Sequence, residues 1–119
     1  MKASLLALFA LLLCSMTAEN HGLKRTPIPV DPCTLFGTVF VEEVEGFADY
    51  QVFREEDEAF SDLIVFKEQA QSFADRSGLW HLTDVKAFAD FSVSFTDVRG
   101  FADFSVYFSE FKSLAGCPP

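Results

Sequence analysis

The stretch FADFSVSFTDVRGFADFSVYF, residues 88 to 108, spells Phe-Ala-Asp twice, thirteen residues apart, and follows each copy with Phe-Ser-Val. Working outward in both directions, the same place is held by Phe47, Phe60, Phe73, Phe88, Phe101 and finally Leu114, at spacings of 13, 13, 15, 13 and 13. Cutting after each triplet gives GTVFVEEVEGFAD, YQVFREEDEAFSD, LIVFKEQAQSFAD, RSGLWHLTDVKAFAD, FSVSFTDVRGFAD and FSVYFSEFKSLAG, six units that account for residues 37 to 116. Two extra residues near Gly78 explain the one irregular spacing. A fixed period of this kind marks a repeat architecture, and it is read before any local secondary structure.

Numbering the places of a unit from 1 to 13 exposes its chemistry. The third place holds Val39, Val52, Val65, Trp80, Val93 and Val106, and the seventh holds Glu43, Glu56, Gln69, Asp84, Asp97 and Glu110. The tenth is always Gly, Ala or Ser, the eleventh is the marker residue, and the thirteenth is Asp49, Asp62, Asp75, Asp90, Asp103 and then Gly116. FSVSF and FSVYF alternate large apolar residues with Ser or Tyr, which suits a β-strand with one face buried. YQVF and LIVF are apolar without alternation and read as strands covered on both faces. TDVRG and EEVEG read as turns, with the acidic seventh place accepting backbone N–H groups and the small tenth place adopting a positive φ. Phe-Ala-Asp reads as a corner. Its Phe is expected to anchor the core, so Phe47, Phe60, Phe73, Phe88, Phe101 and Leu114 are expected in one interior. Its Asp is expected to bind backbone N–H groups in an Asx-type turn, because a carboxylate repeated in every unit needs a partner repeated in every unit. The acids are scaffold on this reading.

The rest of the chain supplies context. Residues 1–18 have Lys2, an apolar run from Leu5 to Leu13 and small or polar residues up to Ala18, the layout of a secretory signal peptide and too short a run for a membrane span. The alternative is a lipid anchor on Cys14, for which Leu13 is a poor neighbour. Residues 19–32 form a leader with Pro27, Pro29 and Pro32, expected to be extended, and residues 33–117 form a single domain. Loss of residues 1–18 leaves 8 basic against 18 acidic residues, a net of −10. Such a chain repels phosphate backbones, which argues against nucleic acid as a partner. Fourteen of the fifteen Phe fall after residue 18, enough apolar area to fold around despite the acidity. Cys33 and Cys117, a widely spaced even pair in an exported chain, read as one disulfide, the alternative being two free buried thiols. Closing a loop of that length would remove about 4.5 kcal/mol of unfolded-state entropy.

Chemistry is sparse. His21 lies in the leader and His81 stands alone in LWHL, so a hydrolytic triad has few candidates. Clustered zinc ligands and a glycine-rich phosphate loop are absent from the sequence. Residues 37–75 hold eleven acids and two bases, whereas residues 76–116 hold five acids and four bases. The first half therefore carries a strongly negative turn face, centred on REEDE, residues 54 to 58, with Glu42, Glu43 and Glu45. A solvated edge that keeps the protein soluble and blunts strand pairing is the plain reading; calcium ligation by the repeated acids is the rival.

Repeated Val-x-Phe, an acidic turn and Phe-Ala-Asp resemble the 7(1) septoil knot domains, a family of small repeat proteins. The resemblance covers residues 33 to 117. It implies a β-rich chain wound repeatedly around itself in a true knot, and it carries no catalytic residues onto this chain. The departures are at Gly78-Leu79, at His81 and Ser94 in an otherwise mostly aromatic column, and at the closing Leu114-Ala115-Gly116. The expectation is therefore an all-β, disulfide-closed domain of six repeats, secreted or held in the periplasm or cell envelope, without a cofactor or catalytic role. Its work would be structural or adhesive, through a basic or cation-bridged partner on the acidic 37–75 half. A calcium-binding module and a cryptic hydrolase are the alternatives.

Overall fold

The structure is a computed structural model and describes residues 30–119; the expected signal peptide and all but the last residues of the leader lie outside it. Each unit contributes one short strand: β1 (Gly37–Val41), β2 (Tyr50–Arg54), β3 (Leu63–Lys67), β4 (Leu79–Thr83), β5 (Phe91–Thr96) and β6 (Phe104–Phe108). A single 3-10 turn precedes each strand, closing on the marker residue ahead of β2 to β6 and on Leu114 after β6. The six strands form a closed barrel in the order β1-β4-β3-β6-β2-β5, and every pairing between them is parallel. Closure leaves no open sheet edge among these strands, the surest protection against edge-to-edge association.

Register explains how so short a unit can serve. The first place of one strand pairs with the third place of its neighbour: Tyr50 with Val93, Leu63 with Val106, Phe91 with Val39, Phe104 with Val52 and Gly37 with Trp80. β3 and β4 keep the same offset, Phe66 facing Leu79. Each junction is thus stepped by two residues in the same sense. Parallel strands ordinarily need a return of a dozen residues or more. Here the step does most of the returning, and eight residues, such as 42–49, suffice.

Those eight residues straddle the strand they skip. Glu42 donates its backbone N–H to Val93 O on one edge of β5, and Asp49 donates to Ser92 O on the other. Glu55 and Asp62 grip β6 in the same way through Val106 O and Ser105 O, and Ser109 and Gly116 grip β3 through Val65 O and Ile64 O. The connection therefore crosses the outer face of the skipped strand. That crossing is why Ser92 and Ser94, which face outward, are buried, and why Leu63, Ile64 and Val65 are buried on both faces of β3.

Strand alternation sends odd places inward. The third place forms the central layer: Val39, Val52, Val65, Trp80, Val93 and Val106 are all 0% exposed. Leu63, Phe91 and Phe104 of the first place pack beside them, with Tyr50, Leu82 and Phe108 at the periphery. Trp80 meets Phe91 and Phe108 edge-on, at centroid distances of 5.4 and 6.4 Å.

The markers are elsewhere, which corrects the expectation of a shared interior for them. Phe47, Phe60, Phe73, Phe88, Phe101 and Leu114 are between 42% and 68% exposed. The reason is positional. Each marker closes the 3-10 turn in a connection that already lies outside the barrel wall, so no inward direction remains for its ring. The six places are equivalent, but equivalently outside.

Two turn expectations change as well. The tenth place has no positive φ: among the described residues only Gly37, Gly78 and Gly116 do. Gly46 and Gly100 have open space where a Cβ would stand, and nothing in the structure explains why that place stays small. The turn-capping group sits at the sixth place, not the acidic seventh. Thr83 Oγ1, Thr96 Oγ1 and Ser109 Oγ accept from the N–H two residues on, at 3.0–3.2 Å, as Glu42 Oε1 does from Val44 at 3.3 Å.

The irregular fourth unit has a topological cause. Successive strands lie two positions apart round the barrel, except β3 and β4, which are neighbours. A seventh slot between β4 and β3 would make every step equal. The two inserted residues and both ends of the domain meet there. Gly78 donates to Leu35 O, and Gly116 exchanges two backbone hydrogen bonds with Ile64. Arg76 reaches the carbonyls of Lys112 and Ala115. A Cβ on Gly78, whose φ is +80°, would collide with the backbone of Gly116 and Ile64. Cys33 and Cys117 form a disulfide beside this junction, with Cα atoms 5.3 Å apart.

Candidate functional site

The thirteenth-place acids are fasteners between distant units. Asp90 Oδ2 accepts the Thr38 N–H at 2.8 Å while the Asp90 N–H donates to Thr38 O at 2.7 Å. Asp103 does the same with Gln51, at 2.8 and 2.7 Å. Asp49 grips Ser92, and Asp62 grips Ser105, each accepting both the backbone N–H and the hydroxyl of its serine. The expected Asx-type turn is thus replaced by a bracket onto a strand more than forty residues away. The carboxylate does bind backbone N–H groups, but it does so across the barrel wall and not within its own corner. Among the described residues Asp75 alone of the five takes no hydrogen-bond partner. Its bracket would fall on the missing seventh slot. At Gly116, the Asp place of the last unit, the backbone carbonyl takes over and accepts the Ile64 N–H.

The unequal halves are explained by a second set of long-range pairs. The sixth-place glutamates of units one to three meet the ninth-place bases of units four to six: Glu42 with Lys86 at 2.9 Å, Glu55 with Arg99, and Glu68 with Lys112 at 2.7 Å. The Glu55 and Glu68 side chains are only 7% and 6% exposed, so these charges require their partners. The hydrogen bond from Lys86, aided by the Val44 N–H, holds the Glu42 carboxyl below the usual carboxylate range. Arg99 and Lys86 also lie over the fourth-place rings of Phe53 and Phe40, at 4.8 and 6.0 Å. With Asp49 and Asp62, five acids of the negative half are therefore internal fasteners. Glu43, Glu45, Glu56, Asp57 and Glu58 remain on its outside.

What stays free on the surface is a belt. The exposed markers are joined by eighth-place Val44, Val85, Val98 and Phe111, all exposed. Over β5 and β6, where the crossing connections are residues 42–49 and 55–62, the belt pairs Val44, Phe47 and Phe60 with Glu43, Glu45, Glu56 and Glu58. An open groove of about 270 Å³ adjoins this stretch, walled by Glu58, Glu110, Tyr107, Phe108, Phe111 and Leu114. Exposed apolar side chains set among acidic ones are a common mark of an interaction surface. Sequence reasoning picked out these phenylalanines by their period and assigned them to the wrong side of the wall. The signal that distinguishes them was present: a marker lies among Gly, Ala, Ser and charged residues, whereas a third-place Val lies among alternating large apolar residues.

His81 is occupied structurally, its Nδ1 lying 3.0 Å from Glu68 O. Among the described residues no three His, Cys, Asp or Glu converge as a group that could hold a metal ion. No helix among them is long and apolar enough to cross a membrane.

No curated protein matches the chain. Residues 32–118 match the 7(1) septoil knot domain over most of the sequence. With its six stepped units, long-range brackets and terminal disulfide, the chain belongs to the 7(1) septoil knot domain family.

Proposed function

We propose that the protein is a non-catalytic, exported interaction module, built on a knotted chain path, whose docking face is the belt over β5 and β6. The partner it fits presents apolar side chains flanked by Lys or Arg. The observation that carries this reading is the exposure of Phe47, Phe60 and Phe111 beside Glu43, Glu45, Glu56 and Glu58, acids that no base of the described chain neutralises. Apolar rings supply the contact area, and the unpaired acids select the sign of the partner. Export is supported by the signal-like residues 1–18, and the knot by family membership. The barrel beneath serves as a rigid mount. The test is titration with two synthetic peptides of equal apolar content, one alternating Leu and Phe with Lys and Arg, the other with Asp and Glu. The basic peptide is expected to bind and the acidic one to fail, with binding lost in a Phe47→Ser/Phe60→Ser protein that melts like the parent. Equal binding of both peptides, or indifference to the double substitution, would overturn the reading.

A further inference from the structure

The odd places of β1 to β6 face the barrel side of the wall, and fifteen of those seventeen are apolar residues, Gly or Tyr. The two exceptions are Arg54 and Lys67, the last residues of β2 and β3, both exposed at the rim of the barrel. They are also the only two bases in residues 37–75. β6 lies between β2 and β3 in the barrel, and its last residue, Phe108, lies between the two cations. The Arg54 guanidinium is 4.9 Å from the Phe108 ring centroid and the Lys67 ammonium 4.7 Å. At the other four strands the same place is Val41, Leu82, Phe95 and, again, Phe108.

Among the described residues the other bases are satisfied within the molecule. Lys86, Arg99 and Lys112 each meet a glutamate, and Arg76 meets two carbonyls. Arg54 and Lys67 have no carboxylate within ion-pair distance among the described residues, although this half of the chain is crowded with acids. Cation–π contact with one shared ring holds them at the mouth but neutralises neither. A departure from otherwise uniform inward patterning is where function is expected to override folding.

From this arrangement we infer that the mouth at the strand C-terminal ends binds a small anion, an aromatic carboxylate. Its carboxylate would meet the guanidinium fork of Arg54 or the ammonium of Lys67. Its flat body would lie against the neighbouring apolar residues Phe95, Leu82 and Val41, since the Phe108 ring is taken up by the two cations. Arg matches a carboxylate in bidentate geometry. This site shares Phe108 with the groove beside the belt but selects a ligand of the opposite charge, on the Arg54 and Lys67 side of that ring. Trp80 is fully buried and edge-on to Phe108, which makes its emission a reporter of ring movement above it.

The experiment uses trans-cinnamate as probe and cinnamamide, its neutral amide, as control. It follows the side-chain NMR signals of Val41, Leu82, Phe95 and Phe108 together with Trp80 fluorescence. Saturable shifts confined to those residues, with an affinity of about 1 mM or tighter, are expected for cinnamate and absent for the amide. Arg54→Gln/Lys67→Gln should weaken binding about tenfold or more, and Arg54→Lys/Lys67→Arg should restore most of it. Because the double Gln variant could be destabilised, its melting is measured alongside. Shifts of equal size with the amide, no saturation, or undiminished binding in a folded Gln variant would each overturn the site.

Discussion

Two rings of six large apolar residues run through this chain with the same period, and they have opposite fates. The third-place ring, Val39 through Val106 with Trp80 among them, is entirely buried; the eleventh-place ring, Phe47 through Leu114, stands in solvent. Apolarity and periodicity are equal in the two, so neither decides burial. What decides is the element that carries each place. A stepped parallel barrel has one interior, reached only from alternate strand residues, and each connection that skips a strand is forced outside. The outer ring is then too large an investment in exposed aromatic surface to be explained by folding alone, which is why the proposed docking face is placed there.

Substitution should separate the two rings widely. Trp80→Ala removes the largest member of the inner layer and is expected to cost about 3–5 kcal/mol in a denaturant melt, enough to threaten folding of a domain this small. A loss under about 1 kcal/mol would mean that the inner layer is not the core.

The long-range ion pairs come next. Arg99→Met leaves the nearly buried Glu55 without its partner and is expected to cost about 1–2 kcal/mol, reduced from a fully buried pair because the guanidinium is 57% exposed. In the double variant with Glu55→Met most of that loss should return, since two apolar groups replace a desolvated pair. Additive losses in that cycle would show that the two ends do not communicate.

Brackets allow a comparison within one column. Asp62→Ala removes acceptors for the Ser105 N–H and hydroxyl, at a cost of about 1 kcal/mol, a fall in melting temperature of about 4–8 °C. Asp75→Ala, at the same place of the next unit, should stay within about 0.5 kcal/mol of the parent. Equal effects at both positions would contradict the missing-slot account. Smallest of all should be Phe88→Ser on the outer ring, within about 0.5 kcal/mol and of either sign.

Much of this architecture was legible from residues. The period, the six units, the strands at FSVSF and FSVYF, double coverage of LIVF and the pairing of Cys33 with Cys117 all follow from pattern and spacing, whereas YQVF, read in the same way as LIVF, keeps Gln51 and Phe53 half-buried. The recurrence of the aspartates was visible, but the partners that four of them take were not. Ser92 sits forty-three residues from Asp49, and only the order in which strands close the barrel brings them together. The same holds for Glu55 and Arg99: a charge imbalance between halves is visible in the sequence, while its cancellation across the wall is a property of the ring order. Burial of the markers was misread because a local pattern says which residues are apolar and not which side of a wall the chain runs on. Arg54 and Lys67 became conspicuous only once their inward places were known.

The central claim, that third places face in and eleventh places face out in all six units, is best tested by hydroxyl-radical footprinting of the native protein read by mass spectrometry. The account predicts rapid oxidation at Phe47, Phe60, Phe73, Phe88 and Phe101, and protection of Trp80, Phe91 and Phe104 even though indole is intrinsically the more reactive group. Protected marker rings with a readily oxidised Trp80 would contradict it.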